Sequence, residues 1–361
     1  MTLPVRREVS HPTAAAYNGT ATAKGARNGQ AMDKLKLYDI LYALTARDGR
    51  EDALFGDCGQ AARVAFSRSL AGETFPEIWF EVPLAGERWL DFHALVSHED
   101  VAGTQAAFSG QSGVYADALD WFSSQREKAV RQLALSYDTH TGDVDNPAVQ
   151  LLVGGTDASV PLGYLEAIGR ADLKDAYRAF TGSMPEQWYA CYIGSFPGRQ
   201  AADTAPWVRI ECIMGDVLQQ AYAKSADTLR EHLGRVGLDG IGEDAIKGIC
   251  ELARAPFPLE LQFNVGTSGE AMPVISASVR FQPTDWINEQ SQESIAELVG
   301  HVRDQGLDDG RSERLAEILF STRVAHGDEA ATVSCFPAFL KLRWCAGEPA
   351  CAKAYLMAMV Q

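Results

Sequence analysis

The sequence predicts an α+β protein in which five ααββ repeats close a ten-stranded antiparallel β-barrel with helices on the outside. Two kinds of periodicity carry that expectation. Pairs of short runs with strict two-residue alternation, each pair joined by a turn, recur five times, and segments with helical spacing stand before each pair. A third observation concerns the polar side of the alternating runs. It holds Trp, Tyr and His among the charged residues, whereas a wet outer face more often carries Lys and Glu alone.

In chain order, residues 1–31 are rich in Ala, Gly, Thr and Asn and read as a disordered arm. The remainder, 32–361, reads as one barrel domain. Leu35, Leu37, Ile40, Leu41 and Leu44 mark a first helix, and a second covers 53–71. The first hairpin follows, with Glu77, Trp79 and Glu81 on one face and Ile78, Phe80 and Val82 on the other. Past the turn at Ala85-Gly86, Trp89, Asp91 and His93 alternate with Leu90, Phe92 and Ala94. Helical spacing returns over 100–128. The second hairpin pairs a run bearing Gln132, Ser136 and Asp138 with Val149–Val153 across a Gly-Asp-Asn-Pro-containing loop.

Two short helices are expected over 161–184, then a third hairpin whose return strand alternates Arg209 and Glu211 with Val208, Ile210 and Cys212. Helices at 216–237 and 241–255 lead into the fourth hairpin, with Glu260, Gln262 and Asn264 on one face of the first strand and Ser276, Ser278 and Arg280 on one face of the next. Further helices are expected at 284–304 and 310–325. The last hairpin, 337–358, turns at Ala346-Gly347-Glu348-Pro349. It sets Lys341, Arg343, Lys353 and Tyr355 on one face and Leu340, Leu342, Trp344, Ala352, Ala354 and Leu356 on the other.

The apolar faces need partners, and the interposed helices supply them; the polar faces then converge on a shared lumen. The competing arrangement is an open sheet with one wet face.

Composition narrows the partners. The formal net charge is −16, against any non-specific binding to nucleic acid or anionic membrane surfaces. No apolar run is long enough to span a bilayer, and Arg6-Arg7 is followed by Glu-Val-Ser-His rather than an apolar stretch, against a secretory or twin-arginine signal. Seven cysteines, odd in number and without a C-x-x-C word, argue against a zinc site or a disulfide framework, and the compartment reads as the cytosol. His98 and His140 fall at strand ends and read as solvated; His232 and His301 fall in helices. Gly154-Gly155 and Gly266-Thr267-Ser268-Gly269 read as turns, since neither fits a phosphate-binding fingerprint. A monomer is expected.

The repeat order, together with the word Lys353-Ala354-Tyr355 on the last strand, resembles the aromatic prenyltransferase barrel (ABBA) family over about 32–361. The resemblance implies transfer of an allylic prenyl group from a prenyl diphosphate to an aromatic or peptide acceptor, with no obligatory cofactor and Mg²⁺ as an option. It implies that Arg209, Arg280, Lys341, Arg343, Lys353 and Tyr355 hold the diphosphate, that Glu77 or Glu81 acts as the base, and that Trp79 or Trp89 lies against the prenyl chain or acceptor. Those residue types suit the chemistry: fixed cations stabilise a leaving diphosphate, aromatic faces shield an allylic cation, and a carboxylate takes the acceptor's proton.

The sequence departs from the family pattern where the second strands of the first two hairpins carry Asp91 and His93, and Gln150 and Leu152, in place of cations; Glu211 also stands where the family has a basic residue. Two alternatives follow. Glu77, Glu81, Asp91, His93 and Glu211 form an acid/base cluster for non-prenyl chemistry on a peptide or other polar substrate, with a divalent metal at His93 as a variant. Or the barrel binds a small molecule or peptide without catalysis.

Overall fold

The computed structural model describes residues 77–110, 112–125, 130–139, 146–153, 157–200, 205–326 and 329–360. The expected arm, the first two helices, His140 and Gly154-Gly155 lie outside them.

Eleven strands form one sheet: β1 (Ile78–Pro83), β2 (Asp91–Val96), β3 (Val130–Tyr137), β4 (Ala148–Val153), β5 (Trp188–Ser195), β6 (Trp207–Met214), β7 (Leu259–Gly266), β8 (Ala271–Arg280), β9 (Phe320–His326), β10 (Glu329–Cys345) and β11 (Cys351–Val360). Each of β1 to β7 pairs with the next in sequence, β8 pairs with β10, and β10 with β11. The ring closes where β11 pairs antiparallel with β1, from Ile78↔Ala358 to Pro83↔Lys353. Ten strands thus make a closed barrel with no free edge. β9 is an addition outside the expected ten: it pairs with the first part of β10, beyond the point where β10 meets β8.

Described helices fill the connections: α1 (Val101–Ala107), α2 (Val114–Ser124), α3 (Ser159–Ala167), α4 (Lys174–Ser183), α5 (Asp216–Lys224), α6 (Ala226–Arg235), α7 (Glu243–Arg254) and α8 (Glu289–Asp304). The core lies between them and the outer face of the barrel. Leu133, Leu135, Ile210, Leu261, Leu342 and Leu356 face outward from the strands, and Leu119, Phe122, Phe180, Tyr222, Ile249 and Leu252 meet them from the helices, all buried. Burying a side chain of this size contributes about 1.5–3 kcal/mol. This layer therefore fixes which strand face looks inward. The open-sheet alternative is excluded, because the polar face is enclosed by the barrel wall.

Three local expectations are corrected. The helix expected at 310–325 is a 3₁₀ segment, Arg311–Ile318, followed by β9. The Asp308 carboxylate accepts the backbone N–H groups of Gly310 and Ser312, both at 3.1 Å, and the Arg311 guanidinium donates to the Pro83 carbonyl at 2.9 Å. These bonds tie the segment to the first hairpin, and the alternation of Phe320, Thr322 and Val324 then continues as strand. The helix expected at 216–237 divides at Ser225, whose hydroxyl caps α6 by accepting the Thr228 N–H at 3.2 Å. His98 is packed rather than solvated: it stacks on Phe122 with centroids 4.2 Å apart and hydrogen-bonds the Val130 carbonyl at 3.0 Å.

Candidate active site

Alternation along β1, β2, β6, β8, β10 and β11 places the expected residues on the inner wall. Register then decides which of them meet. Glu81 stands opposite Tyr355 across β1–β11 and opposite Asp91 across β1–β2; Lys341 stands opposite Lys353 across β10–β11.

The centre is Glu81, only 4% exposed. Lys353 ion-pairs with its Oε1, and the Tyr355 hydroxyl donates to its Oε2. His93 Nε2 lies 3.4 Å from the same oxygen. With Nε2–H directed at the carboxylate, a neutral imidazole offers Nδ1 to the Ser136 hydroxyl, 2.6 Å away, and that hydroxyl accepts from Gln150 Nε2 at 2.7 Å. Lys341 Nζ donates to the Tyr355 hydroxyl at 3.1 Å. A continuous polar chain therefore runs along the inner wall over six neighbouring strands, from β10 through β11, β1, β2 and β3 to β4. Burial pushes the Glu81 carboxyl up, but Lys353, His93 and Lys341 together outweigh it and hold the group well below the ordinary carboxylate range. Burial and the Glu81 charge push the Tyr355 phenol far up, so it stays a donor.

Two chambers share Glu81, Arg199, Arg209 and Lys341 as wall. The outer one has an empty volume of about 1010 Å³ and is also lined by Trp89, Trp207, Arg343 and Lys353. Five cations thus face two carboxylates, Glu81 and Asp138. Arg199 forms a bidentate pair with Asp138, and Arg343 reaches Glu348 at the rim at 3.4 Å. Arg209 and Lys341 have no ion-pair partner among the described residues. Arg209 instead donates to Asn264 Oδ1 at 3.0 Å and stacks over Phe196, 4.2 Å from its centroid. Burial and the neighbouring Arg199 bring Arg209 down to about 10, and burial brings Lys341 down to about 7 despite the attraction of Glu81. Lys353 also sits over the Trp89 ring at 4.4 Å.

The inner chamber, about 690 Å³, is walled by aromatic rings, Trp79, Tyr192, Phe196, Phe339 and Tyr355 among them, with His93, Glu211 and Gln262 as further polar groups. Trp79 and Phe339 lie 5.0 Å apart.

Three expected residues stand apart from these chambers. Asp91 accepts the Thr139 N–H at 2.8 Å and is 2% exposed, a position that secures the strand end. Glu77 accepts from Trp79 Nε1; burial raises its carboxyl above the ordinary range, and Trp79 and Arg280 offset part of that. Arg280 stacks beside Phe339 at 5.8 Å, below the cationic chamber. Among the described residues no three His, Cys, Asp or Glu side chains converge as a set of metal ligands.

Sequence reasoning left out Arg199, Tyr192, Trp207 and Phe339. Trp207 and Phe339 continue the alternations of Arg209 and Lys341, so the signal was present. Tyr192 follows a register shift in β5, and Arg199 comes from the 3₁₀ turn Pro197–Arg199, where no alternation operates.

No family model matches this chain, and no curated protein matches it in sequence. Solved structures do match its shape. The 5-dimethylallyltryptophan synthase from Streptomyces coelicolor aligns with a TM-score of 0.53 at 13% identity, covering 90% of this chain and 97% of that one. The apo form of the prenyltransferase PriB aligns with a TM-score of 0.56 at 17% identity, covering 88% and 95%. The PriB ternary complex with L-tryptophan and dimethylallyl thiolodiphosphate aligns at 0.52 and 16% identity, covering 90% and 96%. A closed ring of ten antiparallel strands, helices outside it and these likenesses over nearly the whole length show that this chain has the fold of the aromatic prenyltransferase barrels.

Proposed function

We propose that this protein transfers an allylic prenyl group from a prenyl diphosphate to an aromatic or peptide acceptor held in the lumen. One observation carries the reading: Arg209 and Lys341 are cations in the barrel interior with no carboxylate at ion-pair distance among the described residues, and both line the outer chamber. Leaving such charges uncompensated is costly, and a bound anion would remove the cost. A diphosphate carries enough charge to engage several of the five cations at once.

In this reading the donor's diphosphate rests in the outer chamber and its prenyl chain points inward. The C1–O bond breaks, its electrons leave with the diphosphate, and the acceptor's nucleophilic atom forms the new bond to C1. Tyr355, Trp79 and Phe339 present ring faces to the allylic cation. Glu81 accepts the acceptor's N–H and takes the proton that the acceptor gives up once the bond to C1 has formed, while His93 and Tyr355 hold its Oε2 in place. Lys353 belongs to both halves: it pairs with Glu81 and lines the outer chamber. A diphosphate that draws Lys353 toward itself would leave Glu81 a stronger base. If Mg²⁺ takes part, it enters with the diphosphate. That PriB, a barrel of the same fold, has been solved as a binary complex with product diphosphate supports a diphosphate as the ligand class.

Two measurements test this. Inorganic pyrophosphate and dimethylallyl diphosphate should raise the melting temperature, and R209A with K341M should weaken that binding at least tenfold. Incubation with dimethylallyl or geranyl diphosphate and an indole panel should release diphosphate. No shift and no release would end the reading. The Glu81–His93–Ser136 chain favours a second reading, acid/base chemistry on a polar substrate without a prenyl donor; conversion that survives R209A/K341M would select it.

A further inference from the structure

Two guanidiniums share one ring in the wall of the outer chamber. Arg199 and Arg209 lie over Phe196, 4.9 and 4.2 Å from its centroid, and both line that chamber. Like charges so placed repel; burial and the Arg199 charge together bring Arg209 down to about 10. Asp138 offsets the crowding. Its two carboxylate oxygens accept from Nε and Nη2 of Arg199, fork to fork. Arg209 is held by the neutral Asn264 amide instead.

The pair joins two separate elements. Asp138 follows β3, and Arg199 ends the 3₁₀ turn Pro197–Arg199. The Arg199 side chain is 31% exposed and that of Asp138 14%. A long side chain with that much freedom, carried on a turn, changes rotamer without moving the barrel wall. Asp138 also faces a side chamber of about 250 Å³, shared with Ser136, Asn146 and Gly198. A space of that size admits water to a carboxylate left alone. Carboxylate and phosphate present the same pair of acceptor oxygens to a guanidinium fork. In the empty barrel, Asp138 thus stands where the oxygens of an anion would stand, and an incoming diphosphate competes with it for Arg199.

We infer that Asp138 is a positioning residue acting through Arg199: it holds the guanidinium in the empty barrel, yields it to the diphosphate, and so limits how tightly that anion is kept. The inference rests on the proposal that the outer chamber takes a diphosphate, though not on the transfer chemistry.

The test is a cycle of calorimetric titrations with inorganic pyrophosphate, using the full chain unmodified and as D138N, R199M and the double variant. D138N should bind pyrophosphate ~10-fold more tightly than the unmodified protein, in line with a charge-assisted pair that no longer has to be broken. A carboxylate that merely braced the strand end would weaken binding when lost. The gain from D138N should be ~5–10-fold larger with Arg199 present than in the R199M background, because only there does the anion break a pair. A fixed carboxylate repelling the anion through space gives the same gain in both backgrounds; that result, or no gain, overturns the exchange. Circular dichroism checks that each variant folds, and D138S repeats the cycle should D138N not fold. Pyrophosphate that binds neither the unmodified protein nor D138N removes the diphosphate reading of the chamber and this role with it; binding with equal gains removes the role of Asp138 alone.

Discussion

Replacing Lys341 by methionine should stabilise the unliganded protein, by an amount that depends on pH. Lys341 is 7% exposed, and its ammonium donates to a phenol rather than to a carboxylate. Burial is the largest influence on it and, with Arg209 and Lys353, outweighs the attraction of Glu81 and Glu211, bringing the group from 10.5 to about 7. Between those two values the unfolded chain holds a proton that the folded chain has released, so stability rises with pH across that window. Below it both states carry the charge, and the folded state bears the whole cost. The displacement corresponds to about 5 kcal/mol; water in the chambers trims this, and ~2–4 kcal/mol is the expected advantage of K341M at pH 6. Methionine matches the length of the lysine stem and brings no charge into the wall. Urea unfolding of both proteins at pH 6, 7.5, 9 and 10 measures the difference. The advantage should shrink steadily as pH rises toward 10. A difference that stays flat, or grows, across the series refutes the assignment of an uncompensated buried ammonium. Pyrophosphate should reverse the ranking, since the anion needs the charge that methionine lacks.

Glu81→Gln removes the carboxylate that Lys353, Tyr355 and His93 share. The folded-state carboxyl lies below its ordinary value, so its contribution to stability is present above that ordinary value and fades as pH falls through the depressed one; E81Q should therefore lose ~1–3 kcal/mol at pH 7 and converge with the parent in acid, as read by urea unfolding. If Glu81 is the base, diphosphate-releasing turnover should fall about 10²–10⁴-fold. Gly248→Ala probes the outer layer: a Cβ there would sit 2.3 Å from Trp344 Cζ2, where α7 packs on β10, and Trp344 is buried. That crowding should cost about 1–3 kcal/mol in unfolding free energy while leaving pyrophosphate affinity in the folded protein intact.

Much of the site was legible along the chain because alternation is a local property. Glu81, Arg209, Lys341, Lys353 and Tyr355 each stand two residues from another inward-facing group, and alternation alone puts each on the inner face. The same local rule has limits. Glu77 and Asp91 obey it, yet lie where the lumen gives way to strand ends, so they face Trp79 and the Thr139 backbone rather than either chamber. Arg199 has no alternation to announce it, because a 3₁₀ turn carries it to Asp138 at the outer mouth. β9 was mistaken for helix because Arg311–Ile318, just before it, does have helical spacing; contacts with the first hairpin end that segment early.

The sequence by itself determined the period of each segment, hence the hairpins, the helical layer and the list of side chains that share the barrel's polar face. Only the tertiary structure decided who meets whom on that face. Glu81 and Lys353 are 272 residues apart and touch because β1 pairs with β11. Likewise Arg209 and Lys341 come to wall one chamber because β7 and β8 lie between their strands. Side-chain direction follows from neighbouring dihedrals, but ring closure is a balance of sheet twist and packing summed over the whole barrel, and no short stretch of chain encodes it.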